Sequence, residues 1–196
     1  MLSQLKILND TVKLFENEIY PEVHAAIAEV FSDYAEENWI GGYEDAEPEL
    51  WLALASWNTA EPDSKYRPIA SLDLVDVSED SDNYFLAALC GLAGARAGFQ
   101  FNIDSRYFGG SNWRNYVQSW KNKTPKPVSA LEELGFQDLS GKGEFFLPVL
   151  LKTEKLADAY RNDDYAEALQ PISDAFDTIK QSLKHFDAII KNAPTV

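Results

Sequence analysis

The side chains able to do chemistry are few and widely separated. The chain contains one cysteine, Cys90, and two histidines, His24 and His185. A nucleophilic thiolate needs an electropositive, partly exposed setting with a base in reach. Cys90 lies instead within the apolar run FLAALCGLAGA, where it reads as a small buried hydrophobe. A single cysteine also excludes an internal disulfide and any multi-cysteine metal or iron–sulfur site. The histidines show no HxxxH or HxH spacing that would suggest zinc, and both read as surface or boundary residues. No GxSxG elbow is present to pair with either histidine in a hydrolase triad. The glycines from Gly91 to Gly98 fit neither GxGxxG nor a phosphate-binding GxxxxGK[ST] loop. Asp76, Glu79, Asp80 and Asp82 resemble calcium ligands in type, but the glycine that an EF-hand loop needs at its sixth position is missing. They read as a solvated turn.

Charge is the more informative feature. Of 196 residues, 32 are acidic and 17 basic, a formal net charge of −15. Residues 1–100 hold 19 acids and 5 bases, whereas residues 101–196 hold 13 acids and 12 bases. Nearly all of the excess is therefore in the first half. Between Glu29 and Glu49 there are eight acids and no lysine or arginine. Such a field repels nucleic acid and favours a basic protein. Glu36, Glu37, Glu44, Asp45, Glu47 and Glu49, interleaved with Trp39 and Tyr43, form the candidate contact set, since aromatic anchors ringed by charge suit an interface. The opposite bias occurs at 106–126, where Arg106, Arg114, Lys121, Lys123 and Lys126 alternate with aromatic residues. Trp113, Tyr116, Val117 and Trp120 share one helical face there and read as core, leaving the bases as an ordinary exposed side.

These residues must be positioned by elements whose periodicity is readable. Leu5, Leu8, Val12, Phe15 and Ile19 recur as the apolar face of a helix ending before Pro21. Pro21 suits the first turn of a second helix that buries Val23, Ile27, Val30, Phe31 and Tyr34. Trp39–Tyr43 reads as a short strand or turn, Leu50–Trp57 and Ile69–Val77 as strands, Phe85–Ala97 as a helix, and 99–103 as a half-buried strand. Val128–Leu134 reads as a short helix stopped by Gly135. Phe145–Leu151 contains Pro148 and is expected to be no more than an edge strand. Thr153 is expected to cap one helix, and Asp163 or Asp164 the next, with Pro171 delaying its regular part. Leu169, Ile172, Phe176, Ile179, Leu183, Phe186 and Ile190 repeat at intervals of three and four, a seam for the chain's own core or for a homodimer through the 169–190 helix.

The order αβββαβ over the first hundred residues resembles that of the restriction-endonuclease-like PD-(D/E)xK nucleases. That resemblance implies a metal-dependent nuclease with Glu49, before the second strand, and Asp73, on the third, as Mg²⁺ ligands. The position two after Asp73 is Val75, so the family's lysine is missing.

The expected fold is α+β, a single domain over 1–196. It comprises a small, mainly antiparallel sheet in an acidic half (1–104), flanked by N-terminal helices, and a mainly helical half (105–196) with a long C-terminal helix. The longest apolar stretch, Phe85 to Ala95, is too short to span a bilayer, and MLSQLKILND lacks the pattern of a secretory signal. The expectation is a cytoplasmic, non-enzymatic interaction domain without a cofactor, such as an immunity or inhibitor protein engaging a basic or nucleic-acid-binding partner. The alternatives are the carboxylate–metal enzyme or a small-molecule-binding domain with a pocket lined by Trp51, Trp57 and Phe101.

Overall fold

The computed structural model describes residues 4–35, 38–43, 49–57, 68–78 and 84–194. Helices α1 (Leu5–Leu14) and α2 (Tyr20–Tyr34) are joined by a π-helical turn, Phe15–Ile19. Proline has no N–H and its ring crowds the carbonyl four residues earlier. Just before Pro21, the Tyr20 N–H donates to the Phe15 carbonyl, five residues back, which widens the turn. The chain thus passes the proline without leaving helical geometry. The expected break is a bulge.

Strands β1 (Trp39–Gly42), β2 (Trp51–Leu54) and β3 (Ala70–Asp76) follow, then α3 (Phe85–Leu89) and β4 (Ala97–Ile103). Next come α4 (Ser111–Ser119), α5 (Lys126–Glu133), β5 (Gln137–Asp138), β6 (Phe145–Val149), α6 (Thr153–Asn162) and α7 (Ala166–Asn192). The six strands form one antiparallel sheet in the order β1-β2-β3-β4-β6-β5. The fold is the expected α+β domain, with N-terminal helices, a central antiparallel sheet and long C-terminal helices.

Register sorts the side chains into two faces. Leu72, Phe101 and Phe145 lie in one cross-strand row, and Leu74, Phe99 and Leu147 in the next. This face meets α2 and α7. Phe31 and Phe176 pack edge-to-face at 4.9 Å, Phe176 lies 4.8 Å from Phe99, and Phe186 stacks on Phe101 at 4.1 Å. The three-four seam of α7 is therefore used inside the chain: Leu169, Ile172, Phe176, Ile179 and Phe186 are buried against its own sheet and helices. The other face carries the row Trp51, Asp73, Gln100 and Phe146, ending on Gln137.

Several local expectations are corrected. Leu50–Trp57 is not one strand. After Leu54 a single 3-10 turn, Ala55–Trp57, swings Trp57 onto the helix-covered face, where its ring meets Phe101 at 5.5 Å. Helix α3 stops at Leu89 because Gly91 enters the left-handed region at φ 65° and Gly94 follows at 79°. β6 is interior, between β4 and β5. Proline is tolerated because β5 faces only Phe145 and Phe146, so Pro148 lies beyond its end. Opposite Pro148 is Gly98, where a Cβ would come within 2.8 Å of the Pro148 Cα. α7 starts before Pro171, with the Asp164 carboxylate accepting the Ala166 N–H at 3.2 Å. Thr153 is the first residue of α6 rather than its cap. His24 is buried, not at the surface.

Candidate functional site

Of the proposed contact set, Trp39, Tyr43 and Glu49 are described, and they fall at the edge of the sheet. β1 is the terminal strand, and its pairing with β2 places Gly42 opposite Trp51. Tyr43 and Glu49 therefore close the same end of this strand pair, with Trp39 at the far end of β1. Glu49 is exposed. Trp39 and Tyr43 are half-buried and pack against the hydrophobic core, so the aromatic anchors also hold the edge strand to the body. Close approach requires the two glycines between them. A Cβ on Gly41 would come within 2.7 Å of the Tyr43 ring and within 2.6 Å of the Trp51 carbonyl oxygen, and the Trp51 indole covers Gly42. Glu36, Glu37, Glu44, Asp45 and Glu47 lie outside the described residues, as do Glu79, Asp80 and Asp82 of the acidic turn.

An acidic strip that the sequence reading did not isolate leads into this edge. Glu18, Glu22, Glu29 and Asp33 are exposed, recur at intervals of four, seven and four, and therefore share one side of the π turn and α2. Residues Tyr20–Tyr34 include no lysine or arginine. Two hydrogen bonds tie α2 to α7 and to the residue that precedes it. The Tyr165 hydroxyl donates to Glu22 at 2.7 Å, and the Tyr34 hydroxyl donates to Asp177 at 2.5 Å. Burial first, then the bond to Asp177 and the charges of Asp177 and Asp174, pushes the Tyr34 hydroxyl up to about 12. Tyr165 is pushed the same way by burial, then by Glu22. Both phenols therefore act as donors that hold carboxylates in place at neutral pH.

Glu49 precedes β2, and Asp73 lies on the neighbouring strand β3. The Leu74 N–H donates to the Leu50 carbonyl at 2.8 Å, so Glu49 lies beside Val75, whereas the neighbour opposite Asp73 is Trp51. Asn102 Nδ2 donates to Asp73 Oδ2 at 2.8 Å. Among the described residues, no group of three or more histidine, cysteine or acidic side chains is gathered as a metal site.

The expected aromatic pocket of Trp51, Trp57 and Phe101 does not form. Trp51 is on the opposite face of the sheet, and Trp57 and Phe101 are fully packed core residues. Trp57 Nε1 donates to Asp187 Oδ1 at 2.7 Å, which anchors the end of the β2 segment to α7. The basic-aromatic helix behaves as expected: Trp113, Val117 and Trp120 are buried, with Arg114, Lys121 and Lys123 exposed.

A cavity of about 610 Å³ opens elsewhere, between the α1–π segment, α3 and α6. Its walls include Phe15, Ile19, Leu86, Cys90, Leu156 and Tyr160. Cys90 is half-buried there, and burial pushes its thiol up, partly offset by a hydrogen bond with Thr153. Helix α1 buries no residue; Leu5 and Leu8, read as part of its apolar face, are exposed. Residues from three distant segments build this space, so no local motif announces it.

No protein-family model, curated protein or solved structure matches this chain. Among the described residues, no helix is long and apolar enough to cross a membrane.

Proposed function

We propose that this protein is a non-enzymatic interaction domain of the cytoplasm whose acidic edge engages a basic protein partner. An immunity or inhibitor protein that presents carboxylates where a nucleic-acid-binding partner expects phosphates is the specific form of this reading. The observation that carries it is the placement of Tyr43 and Glu49 at the same end of the β1–β2 pair, at the sheet's edge, in a sequence with eight acids and no base between Glu29 and Glu49. The exposed acids of α2 extend the same charge toward the edge. A field of one sign speeds encounter with a partner of the other and penalises polyanions. Half-buried aromatic side chains beside the charge provide desolvated anchoring at little entropic cost.

The test exchanges Glu36, Glu37, Glu44, Asp45, Glu47 and Glu49 for the corresponding amides and compares capture from the native host's cytosol by quantitative mass spectrometry. A basic protein retained by the wild type and lost by the amide variant supports the reading. Equal recovery of every captured protein by both forms overturns it.

A further inference from the structure

We propose that the cavity between the α1–π segment, α3 and α6 binds a long-chain carboxylate, with the hydrocarbon chain in the cavity and the carboxylate at Arg161. At about 610 Å³, the space is of the size that holds small organic ligands. Its walls are contributed by aliphatic and aromatic side chains, among them Val12, Phe15, Ile19, Leu86 and Leu156. Several of the polar groups in those walls are already engaged. Thr11 Oγ1 donates to the Ile7 carbonyl at 2.8 Å, the Tyr84 hydroxyl donates to Glu16 at 3.0 Å, and Cys90 is hydrogen-bonded with Thr153. A ligand with polar atoms along its length would lose hydration here without finding partners, whereas a hydrocarbon chain loses nothing.

The rim is apolar as well. Tyr84 and Leu92, which line the cavity, are each 49% exposed. Leu8, one turn before Val12 on the same side of α1, is 58% exposed. Exposed apolar side chains gathered at the mouth of an apolar cavity mark a surface that is covered when in use. The π turn contributes directly, because Phe15 and Ile19 are its first and last residues and both face the space. Phe15 meets the Tyr84 ring at 4.8 Å, which ties the turn to the segment entering α3.

Charge selects the head group. Arg161 is the one charged side chain among the described lining residues. It pairs with Asp158 at 2.5 Å through one nitrogen, and its side chain is 70% exposed, so guanidinium donors remain for a second acceptor. Glu16, held by Tyr84, repels an anion from that rim and leaves the Arg161 side for the carboxylate.

Cys90 supplies the readout, since it is the only thiol in the chain and lies in the cavity wall. The purified protein is alkylated with N-ethylmaleimide at mildly alkaline pH, followed by intact mass, with dodecanoate, dodecanol or dodecylammonium added below their micellar concentrations. Saturating dodecanoate is expected to slow alkylation by about tenfold, the factor for a site roughly nine-tenths occupied. Dodecylammonium is expected to protect least. Ala157→Trp, at an exposed lining position of α6, is expected to abolish protection by filling the space. Arg161→Glu is expected to remove the preference for the carboxylate while leaving protection by dodecanol intact. The proposal fails if dodecanoate gives no saturable protection, if A157W is protected as well as the wild type, or if R161E keeps the carboxylate preference. It also fails if alkylation slows with protein concentration rather than with ligand, because a second copy of the chain is then the occupant.

Discussion

The hydrogen bond between Trp57 and Asp187 links residues 130 apart and fixes where the β1–β2 edge sits on the body of the protein. Trp57 is 2% exposed, so its indole N–H relies on Asp187 as its acceptor. Asp187→Ala leaves that donor buried and unpaired, at a cost of about 1–3 kcal/mol. Asp187→Asn keeps an oxygen at the same place and exchanges a charged acceptor for a neutral one, for a loss of about 1 kcal/mol. Trp57→Phe removes the donor together with part of a ring that touches Phe101 and Phe186, so about 2–4 kcal/mol is expected. The double variant W57F/D187A is then expected to fall short of additivity by about 1–2 kcal/mol. Urea unfolding followed by far-ultraviolet circular dichroism gives these values if the m-value is unchanged between variants. D187A within about 0.5 kcal/mol of the wild type, or an additive double variant, refutes the argument that this bond anchors the edge.

Other outcomes follow from the same structure. Phe186, fully buried and in ring contact with Phe101, Phe136 and Phe145, is expected to cost about 3–5 kcal/mol on replacement by alanine, read as a lower urea midpoint. Gly98→Ala places a methyl against the Leu147 carbonyl and the Pro148 backbone, and is expected to destabilise by about 1–3 kcal/mol although alanine suits a strand better than glycine. Tyr34 is pushed up from 10 to about 12 by burial first and then by Asp177. The stabilisation it contributes is whole below pH 10 and is lost as pH rises toward about 12, because the unfolded phenol ionises first. Absorbance titration of Tyr34→Phe is expected to lack one late-ionising tyrosine; an unchanged curve above pH 11 contradicts the assignment.

How much of this the sequence disclosed depended on whether a signal was local. The α7 seam was legible because seven apolar residues keep the three-four rhythm without a break, and burial against Phe99 and Phe101 follows that rhythm. Trp113, Val117 and Trp120 were legible for the same reason. Trp57 was misplaced because alternation alone continues the strand, whereas a hydrogen bond to a residue 130 positions away rewards turning inward. Pro148 suggested an edge, and the interior position of β6 depends on how short β5 is, a tertiary fact. The Phe85–Ala97 helix overran because apolar composition outweighed the conformational freedom of Gly91 and Gly94. Of the candidate contact set, Trp39 lies on β1, Tyr43 directly follows it and Glu49 precedes β2, an edge position that depends on strand pairing rather than on any local pattern. The cavity was beyond reach because its walls come from residues 11–23, 84–92 and 153–161, and only folding brings those together.

The claim that the acidic edge recruits a basic partner rests on long-range electrostatics, and its most direct test is the association rate of a captured partner as a function of salt. Between about 0.05 and about 0.5 M salt, where the screening length falls to a few ångströms, the wild-type rate is expected to drop about tenfold or more. The variant with amides at Glu36, Glu37, Glu44, Asp45, Glu47 and Glu49 is expected to start slower and respond only weakly. A wild-type rate that is flat across this range, or one that the amide exchange leaves unchanged, contradicts the account.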